Sequence, residues 1–591
     1  MSRVGNAWQV GLAAALAAVL AVPAFASACE EEAVHAGVWK FGVIADTQWT
    51  KPDDGRNPNT TAADIIQQVN KQFIAHRVKL VVAVGDTVDV GSATSIGTRA
   101  LYAQELYNAG IGFYPLRGNH EAAESPPDLT SGLELAHAFP QVSNGLNNAT
   151  PADVTAALLP AADLALNPPA SKAGAPFLVG RAFSEPTAVN TANNAVSYSF
   201  DYRNARFILL DQFDAAGEYY PSTVPQQLPW ISGQLTGPRP EHAFVFSHKN
   251  LLGGSHKDNL FGGPIDAKDA GDEFSAADNS KQQNLDAFVT ALADGGARYL
   301  ITGHDHHHYD SIVNAPITPG KSVHQLITAS DSSKFYTPAA PFSSNDVPVT
   351  QDLFRVGYYI FTVDGPRVTI DYYASDVAFP SAFSTTPVLN FVKRSSTGFS
   401  LNGKEFLVPQ NGSYTAVADR FDSGDAWTDV AILAGANGMA LATNTGRPET
   451  AAVNTGWSHR ACGTASHELV LWGLAKPMAT DPRAAAPALQ TDAYVLSMSY
   501  DHRSAPARLG TGEFGLAARD ASGKWVNAVD LNAGGTKAFV VGPWTAKYGL
   551  GTHGVDPRTR TAWAVVNHDG AFRVGPLDED GVVARCRAEI R

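Results

Sequence analysis

Short apolar runs recur along the first two-thirds of the chain, each followed at once by glycine and polar residues. The runs at 41–45, 80–84, 113–116, 244–246 and 298–301 are rich in Val, Ile and Phe. Their length and composition predict buried strands. Ile65, Ile66, Val69 and Phe73 fall at helical spacing and predict an amphipathic helix within 61–76, and 282–292 carries a similar pattern. Alternating β and α elements imply helices packed on sheet faces. Residues 197–200 and 206–210, separated by Asp201-Tyr202-Arg203-Asn204-Ala205, predict an antiparallel hairpin.

Two long irregular stretches interrupt this pattern: 121–194 is rich in Pro, Ala and Asn, and 249–281 in Gly and Asp. Loops of such length inside a domain usually carry function or lack order. Each begins directly after a candidate site residue, so both are expected to frame a substrate. Residues 375–386 read as a linker. Beyond them, short alternating strands and turn signals such as Asn402-Gly403, Asn437-Gly438 and Asn567-His568-Asp569-Gly570 predict an all-β sandwich or barrel. That region shows no strict repeat and no catalytic constellation.

A chain of 591 residues exceeds one hydrophobic core, so two or more domains are expected. The formal net charge of −14 argues against nucleic acid as the main partner, because that role needs clustered Lys and Arg. Arg3, an apolar Ala-rich stretch at 11–25 and the small-residue string Ala26-Ser27-Ala28 read as an export signal. Residues 1–28 are therefore expected to be removed, and the protein to be periplasmic, extracellular or anchored to the cell envelope. Cleavage there exposes Cys29, which resembles a bacterial lipoprotein signal, although Ala26 stands where such signals usually carry Leu. Lipidation of Cys29 is the only membrane attachment expected. Cys462 and Cys586 are candidates for a disulfide in an oxidising compartment.

The loops after the five strands carry the chemistry. They read Asp46-Thr47-Gln48, Gly85-Asp86-Thr87-Val88-Asp89, Arg117-Gly118-Asn119-His120-Glu121, Ser247-His248, and Gly303-His304-Asp305-His306. Ligands in layered α/β folds sit at the carboxyl ends of strands, so these loops can converge on one site. Arg117 reads equally as a phosphate contact or a surface ion-pair partner. His307 and His308 read as supporting residues at most, and His242 and His256 as surface or loop histidines.

Five such motifs in this order resemble the calcineurin-like metallophosphoesterases, whose pattern the chain follows at all but one position over roughly 39–375. The resemblance implies an α/β fold, a four-layer metallophosphoesterase β-sandwich flanked by helices over 36–378, and the turn signals beyond it predict a mostly β domain over 387–591. It also implies a metal-dependent phosphoric ester hydrolase acting on a phosphorylated small molecule. Two metal ions are implied, with Asp86 bridging them. Asp46, Gln48 and His306 would complete one site and Asn119, His248 and His304 the other. Two such ions clamp the phosphate and lower the pKa of a bridging water, which as hydroxide attacks the phosphorus. By the same resemblance His120 is the general acid for the leaving alcohol, and Asp89 is the residue that orients it.

Gln48 departs from the family pattern, which has His there. An amide oxygen in place of an imidazole nitrogen tilts the expected metal toward Mn or Fe and away from Zn. The string 41–48 is similar to that of manganese-dependent ADP-ribose/CDP-alcohol diphosphatases, which implies a phosphoanhydride or phosphodiester substrate. The competing reading is a non-catalytic cell-surface binding protein on the same scaffold, which a purified protein without metal would favour. Neither substrate nor oligomeric state is legible in the sequence.

Overall fold

Alternate residues of the central strands enter different cores, and this places the layers. A computed structural model describes residues 37–123, 135–136, 138–142, 178–193, 196–213, 222–252, 255–256, 258–261, 279–338, 345–379, 381–437, 450–477, 489–506 and 509–577. The export signal, Cys29 and Cys586, and with it the Cys462–Cys586 pairing, lie outside these residues.

In chain order the strands of the first part are β1 (Trp39–Ile44), β2 (Leu80–Val84), β3 (Gly112–Leu116), β4 (Arg181–Ser184), β5 (Tyr198–Tyr202), β6 (Ala205–Leu210) and β7 (His242–Ser247). They continue with β8 (Tyr299–Thr302), β9 (His308–Asn314), β10 (Ser322–Ile327), β11 (Asp346–Asp352), β12 (Gly357–Asp364), β13 (Arg367–Ser375) and β14 (Phe391–Ser400). One sheet has the order β14-β13-β12-β1-β2-β3, the other β11-β9-β10-β8-β7-β6-β5-β4. At their centres β1, β2 and β3 run parallel, as do β6, β7, β8 and β10.

Phe207, Leu209, Phe244 and Phe246 join a core shared with Phe41, Val43 and Phe361 of the first sheet. Their neighbours Ile208, Leu210 and Val245 turn the other way, onto Val224, Ile231, Leu285 and Phe288. These last belong to helices Val224–Thr236 and Asn279–Asp294. Helices Ala63–His76 and Ala93–Asn108 contribute Ile65, Val69, Phe73, Ile96 and Leu106 to the first sheet's core. Four layers result: helices, sheet, sheet, helices. Phe41 sits at the centre, fully buried, with ring centroids 4.5 Å from Phe361, 4.8 Å from Phe244 and 5.0 Å from Phe207. Phe41→Ala is expected to cost about 3–5 kcal/mol, read as a lowered denaturation midpoint of the metal-free protein.

Several elements differ from the sequence reading. Helix Ala93–Asn108 has a weak apolar stripe, but Ser92 caps its start by accepting from the Ser95 amide (3.1 Å). Helix Val224–Thr236 holds Pro229 in its interior, and proline normally argues against a helix. Residues 375–386 are no free linker: Phe379 and Phe383 pack with Phe335, and Phe383 with Trp49. Strand β14, which the sequence reading assigns to the C-terminal part, pairs with β13 along Arg367–Ser375 and closes the edge of the first sheet. His242 is buried in β7, not at the surface, with Nε2 2.7 Å from the Gly365 carbonyl.

From residue 405 onward two six-stranded sheets face each other. Between them lie Val408, Ile432, Trp457, Leu471, Leu496, Ala564 and Phe572, a core separate from the first. This β-sandwich meets the first part through Arg367–Glu468 (2.9 Å), His324–Glu405 (2.7 Å) and the Trp472 indole on Thr369 (3.0 Å). Among the described residues no helix is long and apolar enough to cross a membrane.

Candidate metal centre

The carboxyl ends of β1, β2, β3, β7 and β8 lie at one edge of the two sheets, and the loops leaving them carry the polar motifs. Tight turns bring the loops together. Asp46, Asp86, His304 and His306 have φ of 52°, 45°, 73° and 54°, a left-handed conformation that is uncommon for residues other than glycine. Such strain concentrates where surrounding structure holds it for function. Gly118 is required by close approach, since a Cβ there would meet the Asp86 amide and Oδ1 at 2.2 Å. Glu121 ties two of the loops, accepting from the Gly118 amide (2.7 Å), the Val88 amide (3.0 Å) and the Thr87 hydroxyl (3.0 Å).

The seven residues assigned to metal from the sequence are all buried, and six converge in two overlapping groups. Asp86, His248 and His304 form one and Asp46, Asp86 and His306 the other, each with its ligand atoms within 4.8 Å of one another. Asn119 joins the first group, its Oδ1 lying 2.9 Å from His248 Nε2, which is also 3.2 Å from Asp86 Oδ2. Asp46 Oδ1 accepts from the His304 amide (3.0 Å) and lies 3.7 Å from His306 Nε2. Gln48 donates through Nε2 to Asp89 Oδ1 (3.0 Å), so its Oε1 points elsewhere. A carboxylate accepts only, which fixes this orientation of the amide.

Two buried oxygens here have no hydrogen-bond partner: Asp46 Oδ2 and Gln48 Oε1. Unpaired buried acceptors are costly unless a cation or donor meets them. The electrostatics point the same way. Burial pushes the Asp46 carboxyl up to about 7, the His248 imidazole pulling against this and the Asp86 charge adding to it. Burial opposes charge on His248 too, yet Asp86 outweighs it and holds the imidazole at about 9. Crowded carboxylates in a dry pocket draw protons, and the same field favours cations. Oxygen and imidazole donors around one shared carboxylate fit a dinuclear metal centre.

His120 borders the centre. Its Nδ1 lies 2.7 Å from the Asp89 carbonyl and 3.4 Å from Asp89 Oδ1, while Nε2 is 4.0 Å from Asp86 Oδ2. Burial lowers its pKa, but the Asp86 charge and the Asp89 carbonyl outweigh that and raise it. Arg117 is not at the surface: it is buried in an ion pair with Asp211 (3.0 Å). His308 stacks on Tyr372 at 4.2 Å and lies 2.8 Å from the Tyr359 hydroxyl, a core histidine that burial takes down to about 3.

The sequence reading missed a ring of supports. His256, read as a bland loop residue, stacks on His304 with centroids 4.0 Å apart and is held by Asp305 (2.9 Å). Tyr336 meets His256 and His306 edge-on at 4.6 and 4.9 Å. Asp258 lies 3.1 Å from His304 Nε2 and pairs with Lys249. Position in the chain gives no sign of these contacts. The one available signal was the polar content of the loop that follows His248.

Residues 40–308 match the family described as calcineurin-like phosphoesterase. No curated protein is similar to the chain in sequence. Among solved structures, a dimetal phosphatase from Danio rerio is 17% identical, covering 59% of this chain and 99% of its own, with a TM-score of 0.31. A purple acid phosphatase from yellow lupin (Lupinus luteus) seeds is 14% identical over 57% of this chain and 51% of its own, with a TM-score of 0.36. GAP50, the anchor in the inner membrane complex of Plasmodium, is 10% identical over 60% and 88%, with a TM-score of 0.29. At these scores the structural likenesses carry no weight beside the family match and the geometry of the centre.

Proposed function

Since residues 40–308 form a calcineurin-like phosphoesterase domain, we propose that the protein is an exported two-metal hydrolase of phosphate esters or phosphoanhydrides. The observation that carries the reading is the pair of ligand groups sharing Asp86, with the unpartnered oxygens of Asp46 and Gln48 beside them. Asp46, Gln48, Asp86 and His306 would hold one cation, and Asp86, Asn119, His248 and His304 the other. Two bound cations would neutralise the phosphoryl oxygens and acidify a water enough to attack near neutral pH.

The chain's own groups do the rest. Asp46 and Asp86 are the only carboxylates in the ligand set, so two divalent ions leave a net positive pocket for an anionic phosphate. His120 Nδ1–H donates to the Asp89 carbonyl, so the imidazolium form carries a second proton on Nε2, and that is the proton it would pass to the leaving oxygen. Asp89 is the positioning residue for that imidazole, and Gln48 steadies Asp89 through its amide. Export rests on Arg3, the apolar stretch 11–25 and Ala26-Ser27-Ala28.

The test is a panel of phosphomonoesters, diesters and nucleoside diphosphate derivatives, each assayed with Mn, Fe, Zn and Mg. Metal-dependent release of phosphate or of a phosphomonoester supports the proposal, and a silent panel at full metal loading contradicts it. Gln48 makes a separate prediction. When apo-protein is loaded from equal Mn and Zn, Gln48→His is expected to raise the share of bound Zn, since it exchanges an oxygen donor for an imidazole. An unchanged ratio by elemental analysis removes Gln48 from the ligand set.

A further inference from the structure

Each of the three imidazoles facing Asp46 and Asp86 has its remote nitrogen held from outside the cluster. His248 Nδ1 meets the Val84 carbonyl at 2.9 Å, and His306 Nδ1 meets the Lys334 carbonyl at 3.1 Å. His304 differs. Its Nε2 meets a carboxylate, Asp258 Oδ1, at 3.1 Å. The second oxygen of Asp258 lies 2.5 Å from the Lys249 ammonium, whose side chain is fully buried. Lys249 directly follows His248, so one stretch of chain supplies a ligand candidate and the outer support of another.

A carboxylate can only accept, so the proton of His304 sits on Nε2 and the lone pair is left on Nδ1. A carboxylate behind an imidazole also makes it a stronger donor than a neutral carbonyl does, and such partners fix ring orientation. The two cation positions therefore have unlike surroundings. The His306 side is backed only by neutral groups, the Lys334 carbonyl and the Ser330 hydroxyl (3.2 Å). The His248 and His304 side has an anionic support pinned by a buried ammonium.

We infer that Asp258, set by Lys249, is a positioning residue that fixes His304 with Nδ1 free and selectively tightens the cation position formed by Asp86, Asn119, His248 and His304. This rests on the two-metal reading above and adds that the two positions bind unequally.

The test is calorimetric titration of the metal-free full chain with Mn²⁺, beside Asp258→Ala and the milder Asp258→Asn. The wild type is expected to take up two equivalents in resolvable steps. In Asp258→Ala one step weakens by about 10–100-fold and the other keeps its affinity, and Asp258→Asn falls between. Both variants remove the carboxylate paired with the buried Lys249 ammonium, so the metal-free midpoints are expected to fall, and the titrations are run well below them on folded protein. If both steps weaken equally, Asp258 serves general packing and the inference falls. If the wild type binds two equivalents and neither variant changes, the inference falls while the two-metal reading stands. A wild type that binds fewer than two equivalents overturns both.

Discussion

Asp86→Asn is expected to lower kcat/KM by at least about 10³-fold and to strip metal from the protein. Asp86 is the one residue common to both ligand groups, so its loss removes a ligand from each cation at once. Asn is nearly the same shape. It can still accept from the His120 amide, as Asp86 Oδ1 does at 2.9 Å, so the loops are expected to stay in place. What disappears is the charge. With Asp86 neutral, Asp46 alone would oppose two divalent ions, and the field that now raises His248 to about 9 collapses. Elemental analysis and hydrolysis of an aryl phosphate check the two halves of the prediction separately. Full turnover in this variant would refute a shared ligand.

The second large effect depends on the substrate. His120→Asn is expected to reduce turnover of alkyl phosphate esters by about 10²–10⁴-fold, the usual contribution of a positioned acid. A p-nitrophenolate leaving group needs little proton assistance, so its hydrolysis should fall far less. The pH profile gives the sign. A general acid must carry its proton, so wild-type turnover of alkyl esters should fall as pH rises through the His120 pKa. Asp86 and the Asp89 carbonyl hold that pKa above the ordinary imidazole value against the effect of burial. The alkaline limb should vanish in His120→Asn. Equal losses for alkyl and aryl esters would instead assign His120 to binding or structure.

The strands and the polar motifs that end them were legible because each is local. A Val- and Ile-rich run such as Leu80–Val84 ending in Gly85-Asp86 announces a buried strand and the loop that leaves it. The runs 197–200 and 206–210, with polar residues between them, likewise foretold the hairpin of Tyr198–Tyr202 with Ala205–Leu210. Helix Val224–Thr236 was hidden by its prolines. Residues 375–386 were misread because Phe379 and Phe383 are isolated in sequence and meet Phe335 only in space. The supports of the centre were hidden for the same reason. Asp258 and His304 are 46 positions apart, and His256 gains meaning only when stacked on His304. Gln48, the one departure from the family pattern, is placed by a contact no motif encodes, the donation of its amide to Asp89.

The central claim is that a pair of cations, sharing Asp86, makes this chain a hydrolase. It is tested most directly by adding Mn²⁺ stepwise to the chelator-treated protein while following release of p-nitrophenolate from mono- and bis(p-nitrophenyl) phosphate. The expected result is no turnover without metal and a rise that levels off at two equivalents per chain. Turnover that persists in excess chelator, or none at two bound equivalents, would contradict the account.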